Sequence, residues 1–115
     1  MTASDLRTIT PRQLKAWIHD DAELALLDVR EQGQYGENHL FFAVPLPYST
    51  LELDAPRLVP NLHTRIALYG DADSAAAVQA SARILARLGY SDVHILQGGV
   101  QAWQQAGYAT FAGVN

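Results

Sequence analysis

The chain has 115 residues, eight basic against twelve acidic for a formal charge of 8 − 12 = −4, and a 49% hydrophobic share. That is a single globular domain, residues 1–115, whose one core buries roughly two-thirds of its unfolded surface. The basic residues are scattered with no stripe to gather phosphates, no apolar run nears the ~18 residues that cross a bilayer, and there is no cysteine, so nucleic acid, membrane and thiol chemistry are excluded. Met1 to Thr8 holds no apolar signal core, and a cytoplasmic location is the expectation.

Thr10-Pro11-Arg12-Gln13 opens the first helix: Thr10 caps, Pro11 suits the first helical position and Gln13 completes a capping-box pattern. Leu14, Trp17 and Ile18 then share one apolar face, and His19-Asp20-Asp21 ends it. Leu24 to Leu27 is a continuous apolar run of strand length, as expected for a strand covered on both faces. A short helix through Glu31 to Tyr35 follows, then a short strand around Ala43-Val44, where Pro45 and Pro47 prevent anything longer. Leu51 to Leu58 reads as loosely helical despite Pro56.

Ile66 to Tyr69 reads as a buried strand, and Ser74 to Leu88 as a long alanine-rich helix with Val78, Ala82, Leu85 and Leu88 inward and Gly89 after its end. Val93 to Leu96 is the next strand, Gly98-Gly99 a tight turn, and Val100 to Ala106 the last helix. The alternation predicts an α/β fold of three layers, an open parallel sheet with helices on both faces. Such sheets bind ligands at the carboxyl ends of their strands. Two loops qualify: Asp28-Val29-Arg30, and Gly70-Asp71-Ala72-Asp73-Ser74-Ala75 at the start of the long helix.

Leu26-Leu27-Asp28-Val29-Arg30, Asn38-His39-Leu40, and above all Leu88-Gly89-Tyr90-Ser91-Asp92-Val93-His94-Ile95-Leu96-Gln97-Gly98-Gly99 with Trp103 and Ala106-Gly107-Tyr108 resemble the rhodanese (sulfurtransferase) domain family. The resemblance covers about residues 9–108. It implies sulfur transfer through a cysteine in the strand-to-helix turn, at a position that falls here on Gly70. It also implies a structural role for Asp28 and Arg30, ordering the neighbouring loop. The chain departs from the family pattern at Gln34, at Phe41-Phe42 and throughout the 70–75 loop, which is about two residues longer than the family's six-residue cradle. It carries Asp71 and Asp73 where a basic residue would face an anion.

These residues predict no catalytic side chain, no metal and no cofactor. Asp73 or Ser74 is expected as the helix N-cap. Ser74 has no histidine near it in sequence to activate its hydroxyl. Two carboxylates from one loop are too few for a cation, and the four histidines show no ligand spacing. Adjacent phenylalanines in an extended segment face opposite sides, so Phe41, Phe42, Leu46 and Tyr48 form a candidate partner patch. The favoured reading is an inactive rhodanese-like domain, a structural or regulatory module of a larger thiosulfate sulfurtransferase-type protein. Its partner would be another rhodanese-like domain of the same parent chain, or a separate protein. The alternatives are a binding module that uses the former pocket for a small ligand or peptide, and, more remotely, an enzyme with altered chemistry at Gly70–Ser74.

Overall fold

The computed structural model describes residues 7–31, 38–40 and 42–112. Five strands, β1 (Arg7–Ile9), β2 (Leu24–Asp28), β3 (Val44–Pro45), β4 (Arg65–Tyr69) and β5 (Val93–Leu96), form one sheet in the order β1-β5-β4-β2-β3. Every pairing is parallel. The helices are α1 (Pro11–His19), α2 (Leu51–Leu58), α3 (Ala75–Arg87) and α4 (Gly99–Gln105), with 3-10 turns at Tyr48–Thr50 and Ala72–Ser74.

Period-2 alternation divides the core into two layers. In β4, Ile66 and Leu68 pack with Leu51 and Ala55 of α2 and with Val78, Ala82 and Leu85 of α3. Ala67 and Tyr69 pack on the opposite face with Leu14 of α1 and Val100 and Trp103 of α4. β2 divides the same way, Leu27 to the first layer and Leu26 to the second. This is why these strands read as unbroken apolar runs.

Local chemistry fixes the connections. Thr10 Oγ1 accepts the Gln13 amide at 3.1 Å while Gln13 Oε1 accepts the Thr10 amide at 2.9 Å, so the capping box starts α1 as read from the sequence. At the far end, Arg65 donates two bonds to Asp20 at 2.8 and 2.9 Å and lies 4.5 Å from the Trp17 ring centroid, tying α1 to β4. Pro56 withdraws a donor from α2, and the Tyr90 hydroxyl, donating towards the carbonyls of Ala55 and Val59, secures the end of that helix.

Four details differ from the sequence reading. β1 was not anticipated: Arg7-Thr8-Ile9 becomes a strand because β5 offers it a free edge. The short strand lies at Val44–Pro45, one residue later than expected. α3 is entered through a 3-10 turn. Leu46, assigned to an exposed patch, is fully buried; its amide bonds the Asp28 carbonyl at 2.8 Å, which swings the side chain into the core. The helix expected from Glu31 to Tyr35, together with Gln34 and Phe41, falls on or against residues 32–37 and 41, outside the described residues.

Two leucines test this layering. Leu68→Ala, at the centre of the α2/α3 layer, should cost about 2–5 kcal/mol in urea unfolding. Leu53→Ala, 82% exposed on α2, should stay within about 0.5 kcal/mol; equal losses would contradict the assignment.

Candidate functional site

From β2 the sheet is extended outward to β3 and, on the other side, to β4 and β5. The crevice beyond the carboxyl ends of β2 and β4 is therefore the switch point at which open α/β sheets bind ligands. Asp28 and Tyr69 face each other there in register, and the chain continues from them into Arg30 and Gly70.

Arg30 is held from several sides. Its Nε and Nη2 donate to the two Asp28 carboxylate oxygens at 3.1 and 2.7 Å, and its amide donates to Asp28 Oδ1 at 3.0 Å. Nη1 donates to Asn38 Oδ1 at 3.0 Å, Nη2 also donates to the Asn38 carbonyl, and Nη1 lies 3.9 Å from Asp71 Oδ2. The Arg30 side chain is 3% exposed. Burial opposes its charge, but the bonds and charge of Asp28 outweigh that and hold the guanidinium above its ordinary pKa. The sequence places no arginine in the 70–75 loop; the fold brings one to it from the end of β2.

The loop answers with its own anion. Asp71 Oδ1 accepts the amides of Asp73 and Ser74 at 3.1 and 3.0 Å and the Ser74 hydroxyl at 2.8 Å. The Asp71 amide in turn donates to Ser74 Oγ at 2.8 Å. Asp71 thus caps the 3-10 turn at Ala72–Ser74, while Ser74, one of the two residues expected from the sequence, is the N-cap position of α3 itself, where its side chain makes no capping bond. Residues 72–74 of the loop are coiled into that turn. An amide array that can cradle an external anion is here committed to a side chain of the same loop.

Gly70 is buried, and its carbonyl accepts the Val100 amide at 2.9 Å. A Cβ on Gly70 would overlap Ser74 Oγ and lie 2.7 Å from Val78 Cγ2. Gly98 and Gly99 take φ of 78° and 63°, and a Cβ on Gly99 would strike the Gly70 carbonyl; this turn presses directly on the loop. Beside the loop is a cleft of about 400 Å³ reaching from Asp71 to the edge strand β1.

The remaining candidates lie apart. Phe42 is 68% exposed with φ 67°, and Tyr48 is also exposed. A bulky residue at positive φ is strained; here the conformation accompanies a ring turned to solvent. His39 is buried with Nδ1 3.0 Å from the Leu40 carbonyl, and its backbone pairs with Phe111. His94 Nε2 is 2.6 Å from Asp92 Oδ1, and His63 Nδ1 is 3.2 Å from Ser91 Oγ. Among the described residues no three His, Cys, Asp or Glu side chains gather as a metal-ligand set, and no helix is long and apolar enough to cross a membrane.

Tyr69 yields a pH prediction. Its buried hydroxyl accepts the Leu40 amide at 3.1 Å. Burial, then the Asp28 charge, raises the phenol above its ordinary value, which is about 10. The folded chain keeps this proton where the unfolded chain loses it, so the associated stability is intact below about pH 10 and declines above. Tyr69→Phe, which has no proton to lose, should flatten the alkaline decline in urea midpoints; an unchanged slope would contradict the assignment.

The rhodanese-like domain family matches residues 10–106. A probable adenylyltransferase/sulfurtransferase MoeZ of Mycobacterium tuberculosis is 33% identical over 102 residues, covering 84% of this chain and 24% of that protein. The thiosulfate sulfurtransferase from Pseudomonas aeruginosa superposes with a TM-score of 0.89 at 38% identity, covering 95% of this chain and 20% of the other. The Alr3790 protein from Anabaena sp. superposes at 0.81 with 25% identity, over 93% and 94% of the two chains. This chain thus spans about a quarter of the Mycobacterium protein and a fifth of the Pseudomonas one. With its fold, its Arg30 crevice and its strand-to-helix turn, the chain belongs to the rhodanese-like domain family.

Proposed function

We propose that this chain is a catalytically inactive rhodanese-like module serving a structural or regulatory role in a larger sulfurtransferase-type protein. The observation that carries this reading is Gly70: the position expected to bear the nucleophile has no side chain, and a Cβ there would press on the Ser74 and Val78 side chains, which must shift to admit it. Sulfur transfer needs a thiolate stabilised by nearby N–H donors and positive charge. Here Asp71 holds the amides of Asp73 and Ser74 and faces Arg30. The carboxylates of Asp71 and Asp73 would also repel thiosulfate.

The much greater length of two relatives supports a place within a longer protein. The exposed rings of Phe42 and Tyr48 support a partner on that side, another rhodanese-like domain of the parent chain or a separate protein. The cleft beside Asp71 favours a second reading, a binding module that uses this region for a small ligand or a peptide.

Thiosulfate:cyanide sulfur transfer by the purified chain should not exceed the blank, and turnover clearly above it would overturn the proposal. Gly70→Cys should also remain inactive and should lose about 1–3 kcal/mol, because the new side chain must displace both Ser74 and Val78. An efficient, undestabilised Gly70→Cys transferase would show that the nucleophile alone is missing.

A further inference from the structure

We infer that the outer edge of β1, which no described strand pairs, and the cleft beside it form a groove for an extended peptide carrying an apolar residue flanked by lysine or arginine. The inference rests on the non-catalytic reading above and names the partner that the cleft would take.

The two edges of the sheet differ. β3 has two residues, contains Pro45 and is followed by Pro47, devices that keep another strand from adding. β1 is also short, at three residues, but it contains no proline. The Ile9 carbonyl accepts the Gln97 amide at 2.8 Å, and successive residues of a strand in a parallel pair turn their backbone groups to opposite sides. Thr8 therefore points its N–H and C=O away from β5, to the open edge, where they meet no hydrogen-bond partner among the described residues. An added strand would pair with these two groups.

The cleft lies on the α3 face of this edge. Half-buried Ile95 forms its floor, Ala72 and Ala75 keep it open by their small size, and exposed Gln79 and Gln97 rim it. Neither glutamine carboxamide has a hydrogen-bond partner within the described chain, and each offers a donor and an acceptor suited to a peptide backbone. Its volume of about 400 Å³ accepts an apolar side chain.

Charge decides the flanking residues. The charged group lining the cleft is the Asp71 carboxylate, and exposed Asp73 follows at the same end. Arg30 sits behind Asp71 in the β2 crevice, almost inaccessible. A basic segment is attracted and an acidic one repelled.

A random-peptide display selection on the intact chain, counter-selected against Thr8→Pro, tests this directly. The Thr8 amide has no partner among the described residues, so Thr8→Pro should fold; Ala75→Leu, at an exposed helical position, fills the cleft independently and decides alone if Thr8→Pro does not fold. Enriched sequences should share an apolar residue flanked by lysine or arginine. A synthetic peptide of that sequence should bind both variants at least about tenfold more weakly than the native chain. No enrichment, acid-rich winners, or binding indifferent to the folded variants would overturn the groove. Sulfur-transfer assay of the same preparation separates the two claims, since turnover would overturn the non-catalytic reading whatever the peptides show.

Discussion

A guanidinium buried between the ends of β2 and β4 sets the terms for everything above the sheet. A charge removed from water costs several kcal/mol unless its donors are met. Arg30 meets them with the two oxygens of Asp28, the side chain and carbonyl of Asn38, and the nearby carboxylate of Asp71. Each of these reaches it from a different stretch of chain. The bidentate geometry of arginine with a carboxylate also fixes orientation as a lysine would not. Asn38 in turn adjoins His39, whose backbone pairs with Phe111 at 2.8 Å in both directions, so the chain beyond α4 is tied to the same crevice.

The strand-to-helix turn supplies an anion of its own to its amides. A helix N-terminus presents unpaired amides and the positive end of a dipole, and an anion there is stabilised whatever its source. Here the source is Asp71. Its carboxylate is covalently attached and 11% exposed, so it need not be drawn from solution. Ser74 completes the reciprocal cap, and the space a side chain at position 70 would need is taken by Ser74 and Val78. On the non-catalytic reading proposed above, the whole turn and not only position 70 departs from sulfur chemistry, and the turn itself forms a reciprocal cap.

Much of the architecture was legible because its causes are local. The capping box of Thr10 and Gln13 and the unbroken apolar runs of β2 and β4 each follow from a few neighbouring residues. β1 was not legible, since Arg7-Thr8-Ile9 is a strand only because β5 leaves an edge open. Leu46 was misplaced because Pro45 and Pro47 obscure the alternation, and its direction is set by a bond to Asp28. The site was legible in outline: the 70–75 loop, its missing nucleophile and its acidic character stand in the sequence. The approach of Arg30 to Asp71 did not, because only the pairing of β2 with β4 brings them together. The cap that Asp71 makes was equally hidden, because it belongs to the 3-10 turn ahead of α3, whereas the N-cap position of α3 is Ser74, one of the two expected residues.

The most direct measurement is a thiosulfate titration of the ¹⁵N-labelled chain followed at the backbone amides of Asp73 and Ser74. If Asp71 holds these amides, their resonances should show no saturable shift up to tens of millimolar thiosulfate, a range equivalent to binding weaker than about 2 kcal/mol. Saturable shifts confined to these amides would contradict the claim that the loop supplies its own anion.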